Sequence, residues 1–361
     1  MRIALVAPLH ESVPPKLYGG TERVVSYLTE ELVRMGQDVT LFASGDSVTR
    51  AKLHAAVPRG LRLDPRCHDP IAHHFAMLND VVEASDRFDV IHFHIDYLHY
   101  PVTRAYGLNG LTTLHGRLDI PDLVPLYQRY DEMPLVSISD AQRKPLPRVN
   151  WVATVHHGLP RDLLPFSPRA GDHLAFLGRI SREKRPDRAI RIARRAGMEL
   201  RIAAKVDKAD LAYFESEIKP MLPGGGVEFV GEIGDRDKGK FLGNAAALLC
   251  PIDWPEPFGL VMIEAMACGT PVIAWPCGSV PEIIEPGVTG FIVQSEEEAV
   301  AALADIGRFD RAACRRAFEA RFTSERMARD YLAIYRSLTQ PQQELGALLS
   351  GRRPDEVRDA S

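Results

Sequence analysis

Two glutamates, Glu256 and Glu264, stand with seven residues between them in the segment WPEPFGLVMIEAMACGT at 254–270, and carboxylates so placed can accept hydrogen bonds from sugar or ribose hydroxyls. Glu256 precedes Pro257, which biases it towards extended backbone, whereas 258–268 reads as a helix with Gly269 just past its end. One carboxylate therefore sits in a loop and the other on a helix. The helix start presents backbone N–H groups near Phe258, Gly259 and Leu260, a natural site for an anion such as a diphosphate. Upstream, Arg179 and Lys184 follow a strand pattern and precede a basic helix, which puts them at a strand's carboxyl end, where open α/β sheets bind ligands. Arg179 offers a planar fork and Lys184 a point charge, both suited to phosphate oxygens. Gly19 and Gly20 lie after the first strand and let a ligand or backbone approach closely before a helix opens near Thr21. His115, in Thr113-Leu114-His115-Gly116, ends another apolar strand and faces the same side by the carboxyl-end rule.

Taken together these segments resemble the family-4 retaining glycosyltransferases. Every fixed position of that family's E-P-F-G-x-x-x-x-E-A-M-A-x-G-x-P-V setting is filled from Glu256 onward. Gly178, Arg179, Glu183 and Lys184 match its G-R-x-x-x-E-K motif, Gly19 to Arg23 its G-G-x-E-R turn, and Thr113 to Gly116 its T-x-H-[GD] position. Gly278-Ser279-Val280-Pro281-Glu282-Ile283 and Gly287-Val288-Thr289-Gly290-Phe291 follow in the expected order, and Ser137 to Asp140 and His157-Gly158-Leu159 match family turns read as architectural, the last more often N-G-V or N-G-I. The resemblance spans roughly 2–338, strongest at 178–293 and loosest at 54–106.

The resemblance implies a GT-B fold: two facing, doubly wound Rossmann-like α/β domains with a cleft between them. It implies metal-independent transfer of a hexose-type sugar from a UDP- or GDP-linked donor to a saccharide, lipid-linked or small-molecule hydroxyl, with retention, the nucleotide sugar being a co-substrate and no cofactor being required. Arg179 and Lys184 would stabilise the leaving diphosphate, Glu264 would hold ribose hydroxyls, Glu256 donor-sugar hydroxyls, and His115 the transferred sugar near the reacting carbon. Attack would come from the front face, with the leaving phosphate taking the acceptor proton. A nucleotide-sugar epimerase or a phosphorylase would share the fold, although no feature nominates a lysine for the pyridoxal phosphate such a phosphorylase needs. A non-catalytic nucleotide-sugar-binding protein would have a damaged donor constellation, and here it is intact.

The elements that must position these residues follow the rhythm of parallel α/β sheets. Apolar runs at 3–7, 39–43, 90–93, 111–114, 135–138 and 152–155 alternate with helix-length amphipathic segments. The stretch PRDLLPFSPRAG reads as a linker, after which a second series begins at 174–177 and continues at 200–203, 227–230, 247–250, 271–274 and 290–293. This divides the chain into an acceptor-side domain at 1–165, a nucleotide-sugar domain at 166–322, a capped amphipathic helix at 323–340 that the resemblance returns to the first domain, and a mobile tail at 341–361.

At 361 residues two domains are the default, and a net charge of −4 argues against a general nucleic-acid partner. The five cysteines form no C-x-x-C pair and read as reduced, mostly buried thiols. No run approaches about 18 apolar residues, so a cytoplasmic protein is expected, with peripheral contact at the inner face of a membrane left open. Arg188, Arg191, Arg194 and Arg195 on a basic helix, and Arg143, Lys144 and Arg148 in a basic loop, could meet anionic lipid but read better as solvated faces. His92 and His94 alternate along one strand, and with His99 nearby they suggest a metal without supplying a convincing third ligand. The D-x-D at Asp235-Arg236-Asp237 reads as a helix N-cap.

Overall fold

The computed structural model describes residues 1–16 and 19–349, with side chains to 339; Leu17, Tyr18 and 350–361, including most of the expected tail, lie outside the described residues. The first half forms a parallel sheet of seven strands: β1 (Arg2–Val6), β2 (Asp38–Ser44), β3 (Lys52–Val57), β4 (Val90–Phe93), β5 (Gly110–Thr113), β6 (Leu135–Ser137) and β7 (Trp151–Thr154), in the order β3-β2-β1-β4-β5-β6-β7. The second half forms a parallel sheet of six: β8 (His173–Arg179), β9 (Glu199–Lys205), β10 (Val227–Gly231), β11 (Ala245–Cys250), β12 (Val272–Ala274) and β13 (Gly290–Ile292), in the order β10-β9-β8-β11-β12-β13. Each sheet reverses its strand order once, between β1 and β4 and between β8 and β11, and such a switch point opens a crevice at the carboxyl ends.

The central strands are mostly apolar and buried on both faces; Ile3, Leu5, Val90, Leu111, Leu174, Leu248 and Ile273 are all fully buried. Strand β3 was not among the runs read from the sequence. It is an edge strand whose KLHAAV leaves most side chains half or fully exposed, so it lacks the apolar run that marks its neighbours.

The chain crosses between the halves at two adjacent points. Leu159 N–H donates to the Phe322 carbonyl at 2.9 Å, and Ser324 N–H donates back to the Leu159 carbonyl at 2.8 Å. Gly158 is needed there, because a Cβ would run into the Thr323 carbonyl. The returning helix Ser324–Leu349 is capped by Thr323, whose hydroxyl accepts from Arg326 N–H at 3.2 Å. It packs against Gly20–Arg34 and buries Met327, Tyr331 and Tyr335 in the core that includes Ile3 and Leu28. Its backbone continues helical to Leu349, past the end read from the sequence near 340.

The basic helix Pro186–Ala196 pairs its charges within the chain while Arg194 and Arg195 remain exposed to solvent. Arg191 reaches Asp187 at 3.0 Å and Glu296 at 2.8 Å, Arg195 reaches Glu297 at 2.8 Å, and Arg194 donates to the Met221 and Pro223 carbonyls. Among the described residues no helix is long and apolar enough to cross a membrane.

Candidate functional site

Strands β8 and β11, which flank the switch point of the C-terminal sheet, deliver the charged groups. Arg179 is the last residue of β8, Lys184 lies in the following turn, and the loop after β11 carries Trp254 and Glu256. Asp253 N–H donates to the Glu183 carbonyl at 2.8 Å and ties the two loops together. Lys184 forms an ion pair with the Glu256 carboxylate, the Trp254 indole N–H donates to the same oxygen at 3.0 Å, and the Lys184 ammonium sits 4.8 Å from the centre of the Trp254 ring. Glu256 is held from behind by the turn at Gly278, where a Cβ would strike its backbone, and Ser279 N–H donates to the Glu256 carbonyl at 2.9 Å. Arg179 bonds Glu183 at 2.6 Å and lies 3.9 Å from Asp207, while its Nε is buried without a partner among the described residues.

Glu264 projects from the helix Leu260–Ala267 and is only 3% exposed. Its carboxylate accepts from Lys238 at 2.7 Å; Lys238 also lies 3.4 Å from Asp235, which pairs with Arg23 of the N-terminal half. Asp235 is thus an ion-pairing residue in the first turn of Asp235–Gly243, whose N-cap is Gly234, and the capping role read from D-x-D is corrected. The Leu260–Ala267 helix starts two residues later than the sequence suggested, because Gly259 takes a left-handed φ of 83° as its N-cap. A Cβ there would lie 2.6 Å from Met262 Cε. Opposite, Gly20 opens the helix Gly20–Arg34, and its Cβ position is 3.9 Å from Leu260 Cδ1, so two helix starts face each other across the cleft.

The other wall comes from the N-terminal sheet. His94 follows β4 and His115 follows β5, and their rings share a 2.8 Å hydrogen bond between His94 Nδ1 and His115 Nε2. His115 stacks on His157 at 5.2 Å, and His157 packs edge-on against Phe258 at 4.8 Å, which carries the ring contact over to the C-terminal half. Burial pushes the His115 imidazole down to about 3 and those of His94 and His157 well below their usual value. His115 is therefore a neutral hydrogen-bonding group at pH 7. The remaining two histidines of the metal reading are structural: His92 bonds Tyr335 and Thr113, each at 2.7 Å, and His99 bonds Thr103 and Thr112, each at 2.8 Å. Among the described residues no group of three His, Cys, Asp or Glu side chains is placed to hold a metal ion.

All ten residues singled out from the sequence, Gly19, Gly20, His115, Arg179, Lys184, Glu256, Phe258, Gly259, Leu260 and Glu264, line one cleft of about 580 Å³ between the two sheets. The same cleft is lined by Glu22, His94, Asp96, Lys238 and Trp254, which the motifs did not nominate as site residues. His94 and Asp96 follow the end of β4 and were findable by the carboxyl-end rule that found His115. Trp254, in a loop, and Lys238, on the helix Asp235–Gly243, gave no signal because the groups they reach are brought to them by tertiary packing. The turns read as architectural join the two walls: Ser139 hydroxyl donates to the Pro257 carbonyl at 2.7 Å, and the N–H groups of Asp140 and Ala141 donate to the Glu282 carboxylate at 2.8 and 2.7 Å.

Comparison with known proteins places this geometry. Residues 168–309 match the family model "Glycosyl transferases group 1", and residues 18–138 match "Glycosyltransferase Family 4". The chain is 26% identical to a glycogen synthase of Mycobacterium tuberculosis, over 96% of this chain and 98% of that one. Among solved structures it resembles AviGT4, a glycosyltransferase involved in avilamycin A biosynthesis, with 25% identity, a TM-score of 0.72 and coverage of 94% and 98% of the two chains. It also shares its fold with HepE of Anabaena, solved with UDP and glucose, at 17% identity, a TM-score of 0.71 and coverage of 93% and 100%. With both halves matched and the two parallel sheets facing across a common cleft, the chain belongs to the family-4 glycosyltransferases and has the GT-B fold.

Proposed function

We propose that this glycosyltransferase moves a hexose-type sugar from a nucleoside diphosphate sugar to an acceptor hydroxyl, with retention of configuration and without a metal ion. The observation that carries the reading is the convergence of Arg179, Lys184, Glu256, Glu264 and His115 on one cleft beside the start of the Leu260–Ala267 helix. That HepE was solved with UDP and glucose supports a nucleotide sugar as donor, UDP- or GDP-linked. The diphosphate would meet the helix N–H groups and the two cations, which act where a metal ion would in other transferases. As the bond from the anomeric carbon to the phosphate oxygen breaks, Arg179 and Lys184 stabilise the growing negative charge and the sugar passes through an oxocarbenium-like centre. The acceptor oxygen bonds that carbon on the same face, and its proton passes to the leaving phosphate. Glu264 holds ribose hydroxyls, Glu256 holds hydroxyls of the transferred sugar, and neutral His115 hydrogen-bonds that sugar near the reacting carbon.

The test is nucleotide release from a panel of uridine, guanosine and adenosine diphosphate sugars without added metal, followed by mass spectrometry, beside Lys184→Ala and Glu264→Ala. Release from one donor that drops by about 100-fold in both variants supports the reading. Release only with an added divalent cation removes the metal-independent part. An inverted anomeric signal in the product's NMR spectrum removes retention, and a donor that binds calorimetrically but never turns over points to a binding protein.

A further inference from the structure

The acceptor side of the cleft carries a chemistry the motifs do not describe. Asp96 lies just beyond β4, at the switch point of the N-terminal sheet, and its side chain is exposed where it lines the cleft. Its carboxylate has neither a hydrogen-bond nor an ion-pair partner among the described residues, and the protein walls that enclose that part of the cleft push it up to about 6, which still leaves it mostly ionised at pH 7. Its backbone sits at φ 50°, a left-handed conformation that a residue with a Cβ adopts at a cost, and such outliers concentrate at ligand sites. A residue held in strain, open to a cleft and bonded to nothing is placed for a ligand.

The groups around it decide which ligand. His74 Nε2 accepts from Leu9 N–H at 3.0 Å, so its Nδ1 carries the proton and donates to the Pro70 carbonyl at 2.7 Å; a second proton would break the first bond. His10 packs against His74 with ring centres 5.1 Å apart, and His94 and His115 are joined through their ring nitrogens. This wall therefore presents neutral imidazoles. Of its guanidinium groups, Arg62 is engaged by Glu11 at 3.1 Å and Arg23 is buried against Asp235. Glu22, also lining the cleft, adds a second carboxyl group. A phosphorylated acceptor would meet the carboxyl groups of Asp96 and Glu22 and would gain a cation on that wall only by drawing Arg62 away from Glu11, whereas hydroxyl groups would meet an open acceptor of hydrogen bonds.

Resting on the transferase reading above, we infer that the acceptor is a neutral polyhydroxyl compound, not a phosphorylated one, and that Asp96 positions it by accepting hydrogen bonds from its hydroxyls. The experiment uses the full chain and the donor found by the panel. Acceptor turnover is compared for glucose, maltose and myo-inositol against glucose 1-phosphate, glucose 6-phosphate and inositol phosphate, in wild type and in Asp96→Asn and Asp96→Ala. The expected result is turnover of a neutral polyol in preference to its phosphate, with the acceptor KM raised about 10- to 100-fold in both variants while donor KM and acceptor-free nucleotide release hold. Faster turnover of a phosphorylated partner, no turnover of any neutral polyol while donor hydrolysis proceeds, or an unchanged acceptor KM in both variants overturns the inference. Donor hydrolysis that is absent from the start sinks the transferase reading with it, so the two failures are told apart by the acceptor-free control.

Discussion

Lys184 and Glu256 neutralise each other at the cleft, yet the proposed mechanism gives each a different part of the donor. Binding must therefore exchange one partner for another, with the ammonium turning to phosphate and the carboxylate to sugar hydroxyls. Residues that act as a unit are not additive, so Lys184→Ala and Glu256→Gln should each lower kcat/KM by about 100-fold and the double variant by far less than the product. A full multiplicative loss in steady-state kinetics would mean that the pair acts independently. A second expectation concerns His115, whose imidazole is already neutral well above its depressed value of about 3. The pH–rate profile should therefore show no limb from His115 between pH 5 and 8, and a histidine-like limb that disappears in His115→Asn would contradict a neutral role. At this scale the sequence was most legible where side chains stand beside a motif glycine or a strand end, as Arg179 and His115 do. Asp96 was within reach of the carboxyl-end rule but was passed over because a lone aspartate after a strand is ordinary, and its backbone conformation and its lack of partners among the described residues are what set it apart.

Helices and turns set the precision with which those side chains are held. The turn at Gly278 has a left-handed φ of 60° and lies so close to Glu256 that a methyl group displaces its backbone. Gly278→Ala should cost about 2 to 4 kcal/mol in urea unfolding and weaken donor binding together with stability. The variant folding with wild-type stability would show that this turn can move freely. Alternation and apolar runs disclosed twelve of the thirteen strands, because buried parallel strands are continuous in valine, isoleucine and leucine. Strand β3 escaped because pairing on one edge holds it with little apolar burial. The start of the Leu260–Ala267 helix was misread for a related reason, since left-handed Gly259 delays the first helical turn and its motif alone does not say on which side of the glycine the helix begins.

Across the whole molecule, four buried histidines, His92, His94, His99 and His157, and the partly buried His115 are held neutral by desolvation. Each titrates near 6.5 once unfolded, so above that pH neither state takes up a proton and stability is complete. As pH falls through 6.5 the unfolded chain binds protons that the folded chain refuses, and stability is lost progressively. The melting temperature should be level above pH 7 and fall steeply between pH 6.5 and 5; a level curve across that range would mean that the histidines charge in place. Glu282 joins the halves through the Asp140 and Ala141 N–H groups and through His156 at 3.1 Å. Glu282→Ala should raise the donor KM and widen the particle in small-angle scattering, while an unchanged radius of gyration and KM would assign the closed cleft to other contacts. The two-domain plan was legible from the restart of strand rhythm after the proline-rich linker. The pairing of Leu159 with Phe322 and Ser324 was not, because it joins residues far apart in the chain.

That double crossing has a consequence for how the molecule is made. The N-terminal sheet is finished only when the helix from Ser324 returns and Tyr335 meets His92, whereas everything the C-terminal sheet needs is contiguous. On the ribosome, the half synthesised second can thus be complete while the half synthesised first still waits for its last piece, so a chain stopped before Ser324 would leave a finished C-terminal half joined to an unfinished N-terminal half.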